Sequence, residues 1–125
     1  QHSEELDRVN RLLETIISSL RGGVIVVDRE LCILAWNQRS EDTWGVRSTE
    51  ALGVSLFALD IGLPVDQLQS DIQSILDGEN EHMDIRMEAA NRRGKKISCR
   101  LNLYPLVSEE DGIGGVILIV EDHPI

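Results

Sequence analysis

Aromatic side chains are scarce in this sequence: they make up 3% of its 125 residues, so the core must be aliphatic. There are only two cysteines and no CxxC pair, which argues against a disulfide framework and favours a reducing cytoplasm. No apolar run approaches the ~18 residues that a membrane span needs, and no signal peptide is visible. Basic residues are also few, and the net charge of -10 repels nucleic acid and anionic membrane surfaces.

The residues that are present indicate one globular domain. A composition of 42% hydrophobic and 27% charged residues is typical of a soluble folded chain, and 125 residues are enough to bury a core. The sequence does not begin with Met and opens inside a helical pattern, so we expect it to be a fragment of a longer protein.

The first helix is predicted from Ser3 to Leu20, and Gly22-Gly23 ends it. Its apolar residues alternate at spacings of three and four, which is a heptad seam: Leu6, Val9, Leu13, Ile16 and Leu20. This seam predicts dimerisation with a second copy or pairing with an adjacent signalling helix. The alternative is a helix that folds onto its own domain. Residues 1–21 are therefore predicted to be a helical connector, and residues 22–122 the folded domain.

A β-hairpin and a short helix are predicted next. Val24 to Val27 and Leu31 to Trp36 are strand-like runs on either side of a turn. Asn37 is a good N-cap for a helix that runs to Trp44, and Gly45 ends that helix.

A longer helix and three strands are predicted to complete the domain. After an irregular stretch, Pro64 begins a helix that has one apolar face, formed by Val65, Leu68, Ile72, Ile75 and Leu76. Two alternating strands follow, and the run from Gly115 to Val120 is apolar throughout, which is typical of a central strand. The order predicts an α+β fold: an antiparallel five-stranded sheet with helices on one face.

No catalytic or metal-binding set is visible in the sequence. His2, His82 and His123 are far apart, and no histidine stands near a serine in a recognisable motif. The one basic cluster, "NRRGKK" from Asn91 to Lys96, is interpreted as a solvated hairpin turn. We expect no enzyme activity from this segment and no bound metal.

The order of these pieces resembles the PAS sensor domains. "GGVIVVDRELCILAWNQRSEDTWG" is similar to the PAS opening of strand, Asp turn, strand, Asn, helix and Gly. "RRGKKISCRLNLYPLVSEEDGIGGVILIVED" is similar to the PAS ending. The longer helix lacks the His of haem-type relatives, and the flavin motif Asn-Cys-Arg-Phe-Leu-Gln is absent, so no cofactor is predicted.

The resemblance also implies a ligand pocket between the helices and the sheet. The candidates for its wall are Trp36, Leu68, Ile72, Cys99 and Leu101. The alternative is a solid aliphatic core without a ligand, because pockets normally carry a few placed polar groups and none is found here.

Two segments resemble a narrower group. "SEELDRVNRLLETIISSLRGGVIVVDRELCILAWN" and "LDIGLPVDQL" look like the PAS segment of chemotaxis receptor-methyltransferases and their methylesterase fusions. The resemblance implies an interaction module of a chemotaxis methyltransferase, whereas the alternative is a ligand-binding sensor of a histidine kinase or another two-component protein. PAS domains that signal through their C-terminus often end in Asp-Ile-Thr, but here Asp122-His123-Pro124 stands, which shifts weight to the N-terminal helix. A passive dimerisation spacer is a third hypothesis.

Overall fold

Residues 22–59, 61–108, 110 and 112–124 are described by the computed structural model. The predicted helix from Ser3 to Leu20, with its seam of Leu6, Val9, Leu13, Ile16 and Leu20, lies outside these residues. None of the described helices has the length and hydrophobicity that crossing a bilayer requires.

Five antiparallel strands form one sheet in the order β2-β1-β5-β4-β3. The strands are β1 (Gly23–Asp28), β2 (Ile33–Trp36), β3 (Met83–Ala90), β4 (Lys96–Ser108) and β5 (Gly112–Pro124). The predicted fold class is therefore confirmed. β5 lies at the centre of the sheet, as its continuous apolar sequence predicted, and it ends two residues beyond the predicted domain boundary at residue 122.

The second strand is shorter than predicted. It begins at Ile33 instead of Leu31, because Leu31 has a φ of 69° and Cys32 makes an isolated bridge to Ser55. The register against β1 also shifts, so that Leu34 is an extra residue in β2 without a partner in the ladder. A bulge of this kind at a sheet edge hinders pairing with a further strand.

The helices and 3₁₀ turns between β2 and β3 are α1 (Gln38–Trp44), α2 (Ser48–Ala51), 3₁₀ turns at Leu56–Ala58 and Val65–Leu68, and α3 (Gln69–Leu76). The end of α1 at Gly45, with φ 75°, agrees with the sequence. The third helix was predicted from Pro64, but the chain first makes a 3₁₀ turn in which Gln67 N donates to Pro64 O, and the α-helix starts only at Gln69.

The main core lies between the helices and one face of the sheet. The apolar face predicted for the longer helix is buried there, since Val65, Leu68, Ile72, Ile75 and Leu76 are all at most 6% exposed. Alternate residues of the strands face it, among them Ile25 and Val27 of β1. Helices thus cover one face of the sheet with a mainly aliphatic core beneath them.

Candidate functional site

The predicted pocket residues are brought together under the helices. Leu68 and Ile72 come from the helical side, and Cys99 and Leu101 come from β4. With Trp36 of β2, they belong to a single buried cluster in which none is more than 5% exposed. Their role as a ligand wall stays a prediction.

Polar atoms inside this region are paired. Trp36 Nε1 donates a hydrogen bond to the carbonyl oxygen of Val46 at 2.8 Å, so its indole N–H is not free for a ligand. Among the described residues, no buried side-chain nitrogen or oxygen lacks a hydrogen-bond partner. Because a ligand site usually offers a few convergent polar groups, these contacts favour a packed core.

Asn37 connects the first helix to the first strand. Its Oδ1 accepts from Ser40 N at 3.0 Å, which is the predicted N-cap bond, and also from Val24 N at 2.9 Å. Its Nδ2 donates to the carbonyl oxygen of Gly22 at 3.2 Å. One side chain therefore fixes α1 relative to the start of β1, where the chain enters the sheet.

A second apolar cluster lies on the opposite face of the sheet. This outer-face cluster consists of Val24, Val26, Ala35, Leu106, Ile117 and Ile119. All six residues are in strands, and Val24 and Val26 are at most 3% exposed. It occupies the half of the sheet formed by β2, β1, β5 and the distal part of β4. An apolar outer face is typical of a surface that packs against another element.

The other half of the outer face is polar. Asp84 of β3 pairs with Arg100 of β4 at 2.7 Å, and the hydrogen bond from Arg100 holds the pKa of the Asp84 carboxyl below its usual value. His82 stacks on Tyr104 with ring centroids 4.7 Å apart and its Nε2 lies 2.7 Å from Asn102 Oδ1. This half is solvated, so the apolar half is the distinct region of the face.

Cys32 and Cys99 are both free thiols, the first half-buried and the second buried. Burial, together with the negative charge of Asp122, raises the pKa of the Cys99 thiol to about 11. Because the thiolate is the nucleophilic form of cysteine, this raised pKa disfavours a reactive role for Cys99.

The β1–β2 turn brings Asp28, Glu30 and Cys32 near one another, with ligand atoms within 4.8 Å. However, Asp28 Oδ1 already accepts from the backbone N–H of Glu30 at 2.9 Å and of Cys32 at 3.0 Å. These bonds explain the aspartate as the residue that closes the turn.

Sequence reasoning missed a cleft at the other end of the sheet. It lies between α1 and the β3–β4 turn, and Arg39 Nη2 pairs across it with Asp122 Oδ1 at 2.9 Å. The cluster "NRRGKK" was interpreted as a solvated hairpin turn, and the structure shows it as the exposed β3–β4 turn, but the sequence did not predict the cleft beside it. Its position beside Arg39 depends on the folded sheet.

The sequence profile described as "PAS fold" matches residues 11–123. The chain belongs to the PAS family. A search of curated proteins finds no match to this PAS domain. Among solved structures, it is similar to the PAS domain of a protein from Colwellia psychrerythraea, with 17% identity, a TM-score of 0.72, and coverage of 92% of this chain and 97% of that one.

Two further structures share the fold. A sensory box sensor histidine kinase from Vibrio cholerae is 20% identical, with a TM-score of 0.68 and complete coverage of both chains. VqmA of Vibrio cholerae, in a complex with ligand and DNA, is 16% identical, with a TM-score of 0.74 and coverage of 94% of this chain but 50% of that one. At these identities the likeness shows the fold alone, and the family makes this chain a PAS sensor domain.

Proposed function

We propose that this PAS domain is the protein-interaction module of a bacterial signalling protein, and that it couples to a second copy or to an adjacent helix through residues 1–21. The outer-face cluster carries this proposal. All of its residues lie in strands, and Val24 is one of its buried members. Val24 comes only two residues after Gly22, so the segment that precedes Gly22 joins the sheet next to this cluster.

The dimensions of the predicted helix fit such a role. A helix over Ser3 to Leu20 would be ~27 Å long, at 1.5 Å per residue. Four neighbouring strands span about 14 Å, because strands lie ~4.8 Å apart. A helix that crossed the apolar half of the outer face would therefore extend beyond it, and the rest of its seam would be available to a partner.

The packing of the main core favours this role over that of a ligand sensor. Trp36, Leu68, Ile72, Cys99 and Leu101 are buried within one mainly aliphatic cluster. A metabolite that acted there would have to bind two arrangements of the domain with different affinity in order to shift their populations. Direct helix coupling needs no such ligand.

We further propose a chemotaxis receptor-methyltransferase as the cytoplasmic parent protein. The support is the resemblance of residues 3–37 and 59–68 to the PAS segment of those proteins. The second candidate is a histidine kinase, and the likeness to the Vibrio cholerae sensor kinase favours it as the alternative. In either parent protein, this domain would lie between the part that receives a signal and the part that responds to it, and residues 1–21 would connect them.

The proposal is tested by the oligomeric state of the 125-residue chain. Leu13→Ser/Ile16→Ser replaces two seam residues, and Glu14→Ser/Thr15→Ser is the matched control off the seam. We expect sedimentation velocity to show a dimer for the wild type and the control, and a monomer for the seam variant, because heptad pairing depends on apolar a and d positions. Circular dichroism checks that each variant is folded.

Other outcomes would redirect the proposal. If the wild type is a monomer at every concentration tested, self-association is wrong, and only coupling to an adjacent helix remains. If all three proteins are equally dimeric, the seam is not the interface. A small molecule retained in native mass spectrometry, with a higher thermal stability on its addition, would support the ligand-sensor alternative instead.

A further inference from the structure

The cleft beside the β3–β4 turn, called here the basic cleft, has a volume of about 270 Å³. It lies apart from the main core and from the outer-face cluster. It is formed where α1, the β3–β4 turn and the end of β5 meet. Its lining residues are Arg39, Asp42, Thr43, Asn91, Arg92, Arg93, Lys95 and Asp122.

The β3–β4 turn is held in a defined position at this cleft. Asn91 Oδ1 accepts from the backbone N–H groups of Arg93 at 2.9 Å and Lys95 at 3.1 Å. The backbone N–H of Arg92 donates to the carbonyl oxygen of Thr43 at 2.9 Å, which ties the turn to α1. The cations of the turn are therefore presented from an ordered backbone, although their side chains are exposed.

Positive charge is concentrated here on an otherwise acidic chain. Four of the twelve Lys and Arg residues line the cleft, against two carboxylates, while the whole chain carries a net charge of -10. Arg39 is paired with Asp122. Within the part of the chain that the structure describes, the side chains of Arg92, Arg93 and Lys95 make no ion pair. Three cations thus remain available to an anionic partner.

Because these three cations are exposed, each of them can add only a little to the affinity for an anion, so the partner must contact several at once. A single exposed ion pair changes an affinity by roughly fivefold at most, so a small anion that meets one or two of them gains little. Nucleic acid is also a poor match, because a protein typically neutralises ~6–10 phosphates and must not repel the rest of the strand. A short run of carboxylates can meet several cations at once without a long polyanion.

We propose that the basic cleft binds an acid-rich segment of a partner protein. This inference goes beyond the proposed function and does not depend on it, because the cleft shares no residue with the outer-face cluster or the heptad seam. The contact would join carboxylates of the segment to the guanidinium groups of Arg92 and Arg93 and to the ammonium group of Lys95.

The probe is a fluorescently labelled peptide of alternating Glu and Asp, about eight residues long, which spans ~27 Å when extended. A peptide of Gln and Asn of the same length is its uncharged counterpart. Binding to the 125-residue chain is followed by fluorescence anisotropy at low and moderate salt, and by chemical-shift changes in NMR spectra. We expect saturable binding of the acidic peptide, weaker at higher salt, with shifts at Arg39–Thr43 and Asn91–Lys95.

Matched variants locate the contact. Arg92→Gln/Arg93→Gln removes two charges from the cleft, and Arg47→Gln/Arg86→Gln removes two exposed charges elsewhere. We expect about tenfold weaker binding for the cleft variant and less than about twofold for the control, since each lost pair counts only if the peptide touches it. Asp42→Asn removes a repelling carboxylate from the cleft and should strengthen binding by about twofold or more.

Several results would overturn the proposal. One is equal weakening by both double variants, because only the net charge would then matter. Another is equal binding of the uncharged peptide, or no saturation by the acidic one. Inorganic phosphate or a single-stranded oligonucleotide that binds the same residues more tightly than the peptide would assign the cleft to a different ligand.

Discussion

At the scale of single residues, Asn37 shows how far a sequence motif can be interpreted. Its position before a helical run predicted an N-cap, and the bond from Ser40 N confirms it. Its bonds to Val24 N and Gly22 O were not predicted, because these partners lie 13 and 15 residues away and are brought close only by the β1–β2 register. The residue therefore holds together two elements, not one.

Replacement of Asn37 should reveal this double role. Asn37→Ala removes the cap and leaves the N–H of Val24 without its acceptor, so we expect a loss of about 2–3 kcal/mol in the free energy of unfolding. Asn37→Asp keeps an acceptor for the N–H groups of Val24 and Ser40 but turns a second carboxylate oxygen, in place of the donor, towards the carbonyl oxygen of Gly22, so we expect a smaller loss than for Asn37→Ala but not full stability. Urea denaturation measures both. Equal losses for the two variants would show that the acceptor role is unimportant.

At the scale of elements, the periodicity of apolar residues predicted β3, β4, β5 and the buried helix face. It succeeded because the side chains on any one face of these segments are either mostly buried or mostly exposed. It failed at Leu31 and Cys32, which are apolar but leave the ladder for contacts with the distant segment around Ser55. Leu56 N donates to Leu31 O at 2.8 Å, and Cys32 bridges Ser55. A hydrophobic pattern records which side chains are buried, but not a backbone with positive φ or a pairing between distant loops.

The segment that leads into the longer helix depends on a close approach of two backbones. Gly62 O accepts from Ala90 N at 3.0 Å, and a methyl group on Gly62 would overlap the carbonyl oxygen of Ala90. Gly62→Ala should therefore displace the segment and cost about 2–3 kcal/mol of unfolding free energy. Gly53→Ala is the control, because Gly53 has space for a methyl group and only its φ of 82° adds strain, about 1 kcal/mol.

Thermal and urea unfolding of both glycine variants separate these causes. A Gly62→Ala protein as stable as the wild type would mean that the segment can move away from β3 without loss of packing. If Gly53→Ala is the more damaging of the two, backbone strain outweighs the steric overlap, and the close approach at Gly62 is not what makes a glycine necessary there.

At the scale of the whole molecule, β5 connects the main core, the outer-face cluster and the basic cleft. Its side chains alternate between the main core, as at Leu118, and the outer-face cluster, as at Ile117 and Ile119, and near its end Asp122 reaches the basic cleft. The sequence predicted the core and a central last strand. It could not predict the cleft, because Arg39 and Arg92 meet only when α1 and the β3–β4 turn are assembled on the folded sheet.

The pH dependence of global stability follows from Cys99, which β4 holds opposite Asp122 of β5. The pKa of its thiol rises from 9.0 to about 11 on folding, so the unfolded chain releases a proton that the folded chain still binds between these pH values. The protonated thiol of Cys99 therefore makes its full contribution to the free energy of unfolding below pH ~9. This contribution, about 2 kcal/mol, is lost as the pH rises through ~11. Cys99→Ala removes this titration and leaves every other ionisable side chain of the sequence in place. Under reducing conditions, urea denaturation between pH 8 and pH 11 should show the wild type losing more stability than Cys99→Ala, and a constant difference between them would contradict the raised pKa.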